Sequence, residues 1–402
     1  MSGPLSGVRV LDITTVVMGP FATQILGELG ADVIKIEAPQ GDNVRHVGPM
    51  RHRGMGHMFL HMNRNKRSVV LDLKQPAGRE ALLRLAAGAD VLIYNVRPQA
   101  MARLKLSYAE LAAANPRIIY VGAFGFGQDG PYAARPAYDD LIQGMVGVPW
   151  LTVKAGATEP RYMPATLADR MVGLHAVYAV TAALYHRERT GDGQAVEVPM
   201  FECMAQLVLG DHFGGRSFEP PLGPAGYARV LAPFRKPFPT RDGYLCLLMY
   251  NDKQWRSFFQ VIGREQMYRD DPRFNSHENR SHHIAEINEF VAGEVNQRTT
   301  AEWLAVLTAA DIPVTAMNSI DDLIDDEHLH ATGFIREAVH PTEGAIHTTG
   351  IPSKWSRSQP SADRPAPRLG EHSIELLHEA GYSPAEIEAM LAAGVTATPS
   401  ER

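Results

Sequence analysis

The sequence predicts an α/β protein with more than one domain. In the first half of the chain, short apolar segments alternate with helical segments, which is typical of βαβ units and of a parallel sheet covered on both faces. From about residue 217 the composition changes to a Pro- and Gly-rich stretch, followed by mixed strands and helices. The 402 residues also exceed what one ordinary hydrophobic core supports.

The elements of the first half follow from local patterns. Apolar and β-branched runs predict strands at residues 8–13, 32–37, 90–94, 117–124 and 194–198. Amphipathic or apolar runs predict helices at residues 20–29, 77–87, 99–104, 108–114, 140–148, 167–187 and 200–210. Pro20 near the start of the first helix and Gly30 after its end are usual boundary signals. The helix at 167–187 is apolar almost all round, so we expect it to be central.

The second half is predicted to contain a smaller α+β domain. Residues 218–224, rich in Pro and Gly, indicate a linker or an exposed loop. A strand is predicted at 245–249, with helices at 255–262, 285–295 and 301–310. Residues 334–339 and 345–348 suggest a hairpin, and residues 376–380 and 384–392 a terminal pair of helices.

Composition narrows the class of protein. The net charge of -6 gives no reason to expect a nucleic-acid partner or an anionic membrane. Two cysteines, Cys203 and Cys246, do not form a disulfide framework, and a reduced cytoplasmic setting is the default. No secretory signal pattern is visible, and the longest apolar run, at 171–185, is shorter than the ~20 residues of a membrane span.

One acid, Asp169, lies at the start of the central helix. Thr166 and Asp169 have the spacing of a capping-box variant, so Asp169 could be only a helix cap. A carboxylate nucleophile needs the same placement, because a helix N-terminus stabilises its charge while partial burial strips water from it. The spacing alone favours the cap.

Several segments decide between these interpretations by their order and spacing. They are 4–12, 18–23 and 30–37 near the N-terminus, then Asn63-x-x-Lys66-Arg67-Ser68, Asn95-Val96-Arg97-Pro98, 126–132, Ala137-Tyr138-Asp139, 164–173, 185–194 and Leu369-Gly370-Glu371-His372. Together they resemble the class III CoA-transferases, the CaiB/BaiF-like family of formyl-CoA transferase and carnitine CoA-transferase. The resemblance covers most of the chain.

The resemblance implies a fold and an assembly. The large domain would be Rossmann-like and built from both chain ends, at 1–215 and 326–402, with the linker and small domain inserted at 216–325. Two chains would thread through each other as interlocked rings in a homodimer. Coenzyme A and a small carboxylic acid would be substrates, with no permanently bound cofactor and no metal.

The resemblance also implies a mechanism in which Asp169 is the nucleophile. Asp169 attacks the thioester of a donor acyl-CoA to give a mixed anhydride, and the released thiolate converts that anhydride into an aspartyl-CoA thioester. An acceptor carboxylate then takes up the CoA. Backbone N–H groups near Gly19, or in the loop at 223–226, could stabilise the oxyanions. The acyl donor, the acceptor acid and the pathway are not specified by the sequence.

Residues matching the family's CoA contacts are carried over by position. They are Val16, Val17, Met18, Ala38, Leu71, Leu73, Asn95, Val96, Arg97, Arg103 and Tyr138. In the family, Arg103 would meet a phosphate, which suits a guanidinium. Ala38 and Pro136 replace an arginine and a lysine of the formyl-CoA enzyme, and that enzyme's glycine run is missing at 223–228. The last difference argues for another acyl substrate.

Two other activities stay open on the same scaffold. An α-methylacyl-CoA racemase needs an acid/base pair, and Tyr138 stands where the racemases have a histidine; tyrosine, with an ordinary pKa of about 10, is a poor base. A non-catalytic acyl-CoA-binding protein would not need Asp169. A dinucleotide site at the Gly125-x-Gly127-x-x-Gly130 sequence and a metal site at His46, His52, His57 and His61 are both disfavoured by context.

Overall fold

A computed structural model describes residues 3–399 of the protein. Eleven strands occur among the described residues. In chain order they are β1 (Arg9–Ile13), β2 (Asp32–Glu37), β3 (Lys66–Val70), β4 (Val91–Tyr94), β5 (Ile119–Phe124), β6 (Gln194–Pro199), β7 (Phe238–Pro239), β8 (Tyr244–Leu247), β9 (Val314–Ala316), β10 (Ile335–His340) and β11 (Gly344–Thr349).

The described residues also contain eighteen α-helices, which alternate with the strands in the first half of the chain. They are α1 (Met18–Glu28), α2 (His57–Met62), α3 (Pro76–Ala87), α4 (Pro98–Arg103), α5 (Tyr108–Ala114), α6 (Asp139–Met145), α7 (Val148–Lys154), α8 (Leu167–Thr190), α9 (Met200–His212), α10 (Asp252–Val261), α11 (Glu265–Asp270), α12 (His277–His282), α13 (Ile284–Val295), α14 (Thr300–Ala309), α15 (Ile320–Ile324), α16 (Glu327–Ala331), α17 (Ser373–Glu379) and α18 (Pro384–Ala392). None of the helices described between residues 3 and 399 combines the length and apolar character that a bilayer-spanning segment requires.

The main sheet has six parallel strands in the order β3-β2-β1-β4-β5-β6. This is the strand order of a dinucleotide-binding Rossmann sheet. Alternate residues of β1 enter two separate cores: Leu11 packs with α3, α5 and the C-terminal helices, whereas Val10 packs with α1 and α8. The predicted α/β fold with a parallel sheet covered on both faces is therefore confirmed.

The edge strand β3 was not predicted. Its sequence begins with Lys66, Arg67 and Ser68, residues that are uncommon in buried strands, yet all five of its residues are buried. Each of these three side chains has buried or half-buried polar partners, and those partners come from distant parts of the chain. Local pattern could not reveal them.

The described chain forms two compact units. The first comprises the residues up to Trp150, Arg161–His212, and those from His330 onward. The second comprises Leu151–Pro160 and Phe213–Leu329, so residues 151–160, assigned by the sequence to the large domain, pack with the smaller unit. Its antiparallel sheet, β7-β8-β9, lies against an aromatic core that includes Trp255, Phe259 and Trp303.

The C-terminal return of the chain is fastened to β3 by ion pairs. Arg67 is only 5% exposed and forms an ion pair with Asp32 of β2, at 2.6 Å. It also forms ion pairs with two acids of α17, Glu375 at 2.7 Å and Glu379 at 2.5 Å. The Ser373 hydroxyl also accepts a hydrogen bond from the Val70 N–H. One buried guanidinium thus joins two strands to a helix some 300 residues later in the chain.

Arg67→Met is expected to destabilise the first unit by about 1–4 kcal/mol, because three carboxylates lose their shared cation. Hydrogen exchange should then accelerate in α17. Glu80→Gln, which breaks only the exposed Arg84–Glu80 pair, is the control and should change stability by less than about 0.5 kcal/mol. Equal midpoints of thermal unfolding for the two variants would contradict the fastening role of Arg67.

Candidate active site

Asp169 lies in the first turn of α8, but it does not cap the helix. The side chain of Thr166, at the N-cap, makes no capping hydrogen bond. The Asp169 N–H instead donates to Oδ1 of Asp139, at 3.0 Å, so a carboxylate from the start of α6 performs the cap's task. Within residues 3–399, the Asp169 carboxylate accepts no hydrogen bond. The simple capping interpretation therefore does not describe this residue.

The surroundings of the Asp169 carboxyl disfavour its charge. Burial, together with the nearby negative charge of Asp139, raises the pKa of Asp169 to about 7; the Arg170 guanidinium only partly opposes this. Arg170 lies over the Phe21 ring of α1, 4.6 Å from its centroid. The half-buried acid can therefore exist in either protonation state near neutral pH.

The start of α1 lies one helical turn along α8 from Asp169. At Gly173 the backbone of α8 comes close to α1, because a Cβ placed there would be 2.9 Å from both the Met18 carbonyl oxygen and the ring carbon Cδ1 of Phe21. Among the described residues, neither the Met18 nor the Gly19 N–H has a hydrogen-bond partner. Two open amide donors thus lie in the first turn of α1, the helix that packs against the first turns of α8.

The loop between β1 and α1 has an unusual conformation. Val16 has φ 70°, a left-handed value that is costly for a β-branched residue. Its N–H donates to Oδ1 of Asp42, at 3.1 Å. The Asn95 side chain, after β4, donates to the Thr15 carbonyl and accepts from the Thr15 N–H, at 2.7 and 3.0 Å. This joins the two loops at the point where the strand order reverses, where open α/β sheets bind their ligands.

Comparison with known proteins decides the family. Residues 5–373 match the model of "CoA-transferase family III". The chain belongs to this family. A succinate–glutarate CoA-transferase of Agrobacterium fabrum is 32% identical, the match covering 94% of this chain and 95% of that protein. A succinyl-CoA:glutarate CoA-transferase of Mus musculus is also 32% identical, over 98% of this chain and 90% of its own length. The protein is therefore an enzyme of the CoA-transferase type.

A solved structure agrees with this assignment. A CaiB/BaiF family protein from Brucella suis superposes with a TM-score of 0.82 and 31% identity, covering 94% of this chain and all of the other. The transferase therefore shares both sequence and fold with that family.

The structure places most of the predicted CoA contacts at one edge of the parallel sheet. They follow β1 (Val16, Val17, Met18), β2 (Ala38), β3 (Leu71, Leu73) and β4 (Asn95, Val96, Arg97). Arg103, exposed, ends α4, and Tyr138, 68% exposed, immediately precedes α6. The carboxyl ends of parallel strands meet at one edge, which accounts for this gathering of segments that are distant in sequence.

Burial limits what some of these residues can offer to a ligand. Val17, Met18 and Leu71 are at most 4% exposed, so only their backbone groups are well placed to contact a substrate. The Asn95 amide already holds Thr15. Arg97 and Arg103 are exposed, and the one hydrogen bond of the Arg97 guanidinium within residues 3–399 is long, 3.4 Å to the Ala134 carbonyl.

Two residues of the transferase's site were missed by sequence reasoning. Asp139 was noticed only as part of a motif, yet it binds the Asp169 N–H and acts on its carboxyl. Gln143 is fully buried; it donates to Asp139 Oδ2 at 2.6 Å and accepts from the Met163 N–H at 2.9 Å. The sequence did offer one signal for this pair. Gln143 follows Asp139 by four positions on the inner face of a short helix, and side chains at that spacing meet.

The two disfavoured motifs have other surroundings in the structure. After Gly130 the chain continues in turns, and no helix begins before Asp139, so the glycine pattern lacks the helix that a dinucleotide site requires. His52 lies 3.1 Å from the buried Glu343 carboxylate. In the part of the chain that the structure describes, no group of three or more acidic, His or Cys side chains is arranged to hold a metal ion.

The activity of the transferase is expected to rise with pH through about 7, because Asp169, the predicted nucleophile, can attack only when ionised and its pKa is raised to about 7. Asp139→Asn keeps an oxygen for the Asp169 N–H but removes the neighbouring charge, so the midpoint of the kcat/KM profile should move to lower pH. Asp140→Asn removes an exposed charge one residue away and is the control. An identical midpoint for Asp139→Asn and wild type would contradict the role given to Asp139.

Asp169→Asn should stabilise the fold at pH 8. The folded-state pKa of Asp169 lies above the ordinary value of 3.8, so its ionisation weakens the folded state as pH rises from about 4 through 7. Replacing the carboxylate should therefore add about 1–3 kcal/mol at pH 8 and little near pH 4. Thermal unfolding at both pH values measures the difference, and a gain only at low pH would oppose this account.

Proposed function

We propose that the protein transfers coenzyme A from an acyl-CoA to a free carboxylic acid, with Asp169 as nucleophile. The single observation that carries this proposal is the half-buried carboxylate of Asp169, which has no capping or ion-pair partner among the described residues and lies in the first turn of a helix packed against the start of α1. An acid with a purely structural role would bind a helix N–H or a cation with its carboxylate. Here the carboxylate that accepts a hydrogen bond from the first turn of α8 belongs to Asp139.

The proposed steps balance without an external reactant. Asp169 attacks the thioester carbonyl, which forms an aspartyl–acyl anhydride and releases the CoA thiolate. The thiolate attacks the Asp169 carbonyl carbon, so the donor acid leaves and an aspartyl-CoA thioester remains. The acceptor carboxylate attacks that thioester to form a second anhydride, and the thiolate then attacks its acyl carbon. Asp169 is regenerated as a carboxylate.

The Met18 and Gly19 amides are the proposed oxyanion donors. Each addition to a carbonyl places negative charge on oxygen, and preorganised N–H donors stabilise that charge. Gly19 cannot be replaced without rearrangement, because a Cβ there would overlap the side chain of Thr14. The alternative donors at 223–226 belong to the second unit.

The proposed substrates are dicarboxylic acids and their CoA thioesters. The names of two relatives contain glutarate, together with succinate in one and succinyl-CoA in the other. Arg64 is buried and paired with Glu28 at 2.6 Å, whereas Arg170, the sequence neighbour of Asp169, is half-buried over the Phe21 ring. A second carboxylate on the substrate would be attracted to the Arg170 guanidinium. No resident cofactor takes part in this scheme.

We further propose a homodimer of interlocked rings, with a large domain formed by both chain ends. Large apolar side chains on the longest helix support an assembly, since Leu174, Tyr178 and Tyr185 of α8 are 46%, 58% and 65% exposed. Leu207 and Leu209 of α9 are similarly exposed. We also propose a cytoplasmic setting, for which the two unpaired cysteines, Cys203 and Cys246, give support.

Mass spectrometry after incubation with succinyl-CoA, glutaryl-CoA, acetyl-CoA and a branched acyl-CoA, with hydroxylamine trapping, tests the proposed function. We expect a hydroxamate or CoA adduct on the Asp169 peptide, formed fastest with the dicarboxylic thioesters. Asp169→Asn should lose the adduct and at least about 10³-fold of the transfer rate while still binding CoA. Asp140→Asn, the exposed neighbour of Asp139, should behave as wild type.

Other results would identify the alternatives. Deuterium exchange at the α-carbon of the branched acyl-CoA, without any adduct, would indicate racemase chemistry. CoA binding with neither exchange nor adduct would indicate a silent acyl-CoA-binding protein. Both outcomes would overturn the proposed transfer.

A further inference from the structure

A chain of four buried charges lies directly beneath the loop between β1 and α1. Lys66 Nζ is 3.0 Å from Asp12 Oδ2, and Lys35 Nζ is 3.0 Å from Asp42 Oδ2. All four side chains are essentially inaccessible to solvent. The pair Glu37–Arg45 continues the chain at 2.7 Å, and Glu37 accepts a hydrogen bond from the Asp42 N–H.

Each of these charges also binds the loop or the beginning of α1. Lys35 donates to the Thr14 carbonyl at 2.9 Å, and Asp42 accepts from the Val16 N–H at 3.1 Å. Asp12 accepts from the Thr14 N–H at 2.9 Å, while Lys66 donates to the Pro20 carbonyl at 2.9 Å. Hydrogen bonds from the buried charges, here called the ties, therefore hold the chain on both sides of the open Met18 and Gly19 amides: at Thr14 and Val16 before them and at Pro20 after them.

Burying these charges costs desolvation free energy that apolar side chains would not cost, which indicates a role beyond packing. Buried ion pairs seldom stabilise a fold more than apolar side chains of the same volume. Here Val16 is held at φ 70°, a conformation that persists only where the surroundings impose it. The charges supply that constraint, because an apolar replacement could bind neither the Val16 N–H nor the Thr14 carbonyl.

We propose that Asp42 and Lys35 are positioning residues for CoA transfer: through Val16 and Thr14 they fix the loop that aims the Met18 and Gly19 amides at the reacting carbonyl beside Asp169. The proposal rests on the proposed function. Loss of the ties moves donors that act in the transition state, so it lowers kcat more than it changes KM for the acyl-CoA.

The test compares Asp42→Asn with Asp42→Ala. The asparagine oxygen can still accept from either Val16 or Lys35, whereas alanine keeps neither tie. We expect kcat to fall about 10–100-fold in Asp42→Ala and clearly less in Asp42→Asn, with KM for the acyl-CoA within about threefold of wild type. If Asp42→Ala does not fold, the asparagine variant alone carries the comparison.

Glu28→Gln is the matched control. Glu28 is also a buried acid, paired with Arg64 at 2.6 Å, but it lies at the far end of α1 from the loop. It should lose thermal stability and retain kcat. Equal kcat in Asp42→Ala and Glu28→Gln, or a change confined to KM, would overturn the positioning role.

Hydrogen exchange separates this proposal from the proposed function. The hydrogen-bonded amides of Thr14, Thr15 and Val16 should exchange faster in both Asp42 variants than in Glu28→Gln, whatever the enzyme's activity. Unchanged protection would refute the positioning role on its own. A wild-type protein that forms no aspartyl adduct with any thioester would instead refute the proposed transfer, even if the loop responds as expected.

Discussion

Buried ion pairs at the carboxyl edge of the parallel sheet determine the conformation of the loop and the helix start around them. Asp12, Lys35, Asp42 and Lys66 are withdrawn from water, a state tolerated only because each has an oppositely charged partner and additional polar contacts. Although burial opposes it, Lys66 and Lys35 lower the pKa of Asp12 to about 2, which keeps it ionised. The strands, the strained loop and the first turn of α1 are arranged around these pairs.

The carboxyl group of Asp169 has the opposite environment. It is also partly buried, but its charged neighbour Asp139 carries the same sign, and no donor among the described residues hydrogen-bonds to it. A carboxylate stabilised by several donors would be a weak nucleophile, and one fully exposed would be screened by water. The same unit thus contains compensated charges that maintain geometry and one uncompensated charge suited to chemistry.

Much of the fold could be predicted from the sequence, because five of the six strands of the main sheet contain runs of apolar and β-branched residues and are separated by helices with ordinary boundary signals. β3 could not, since Lys66 and Arg67 satisfy their charges through residues far away in the chain. Asp169 was identified only through resemblance; its spacing favoured a cap. The environment of Asp169, supplied by Asp139 and Gln143, depends on the approach of α6 to α8, which local pattern does not encode.

Gly173 has a consequence for selectivity. Because Gly173 has no side chain, α8 comes close to the Met18 carbonyl and the Phe21 ring of α1 there, and this contact sets the separation between the helix of the proposed nucleophile and the proposed amide donors. That separation is fixed within the protein and is the same for every acyl group. Discrimination between one acid and another therefore has to be made by the walls around the reaction centre, and those walls can change without disturbing the chemistry.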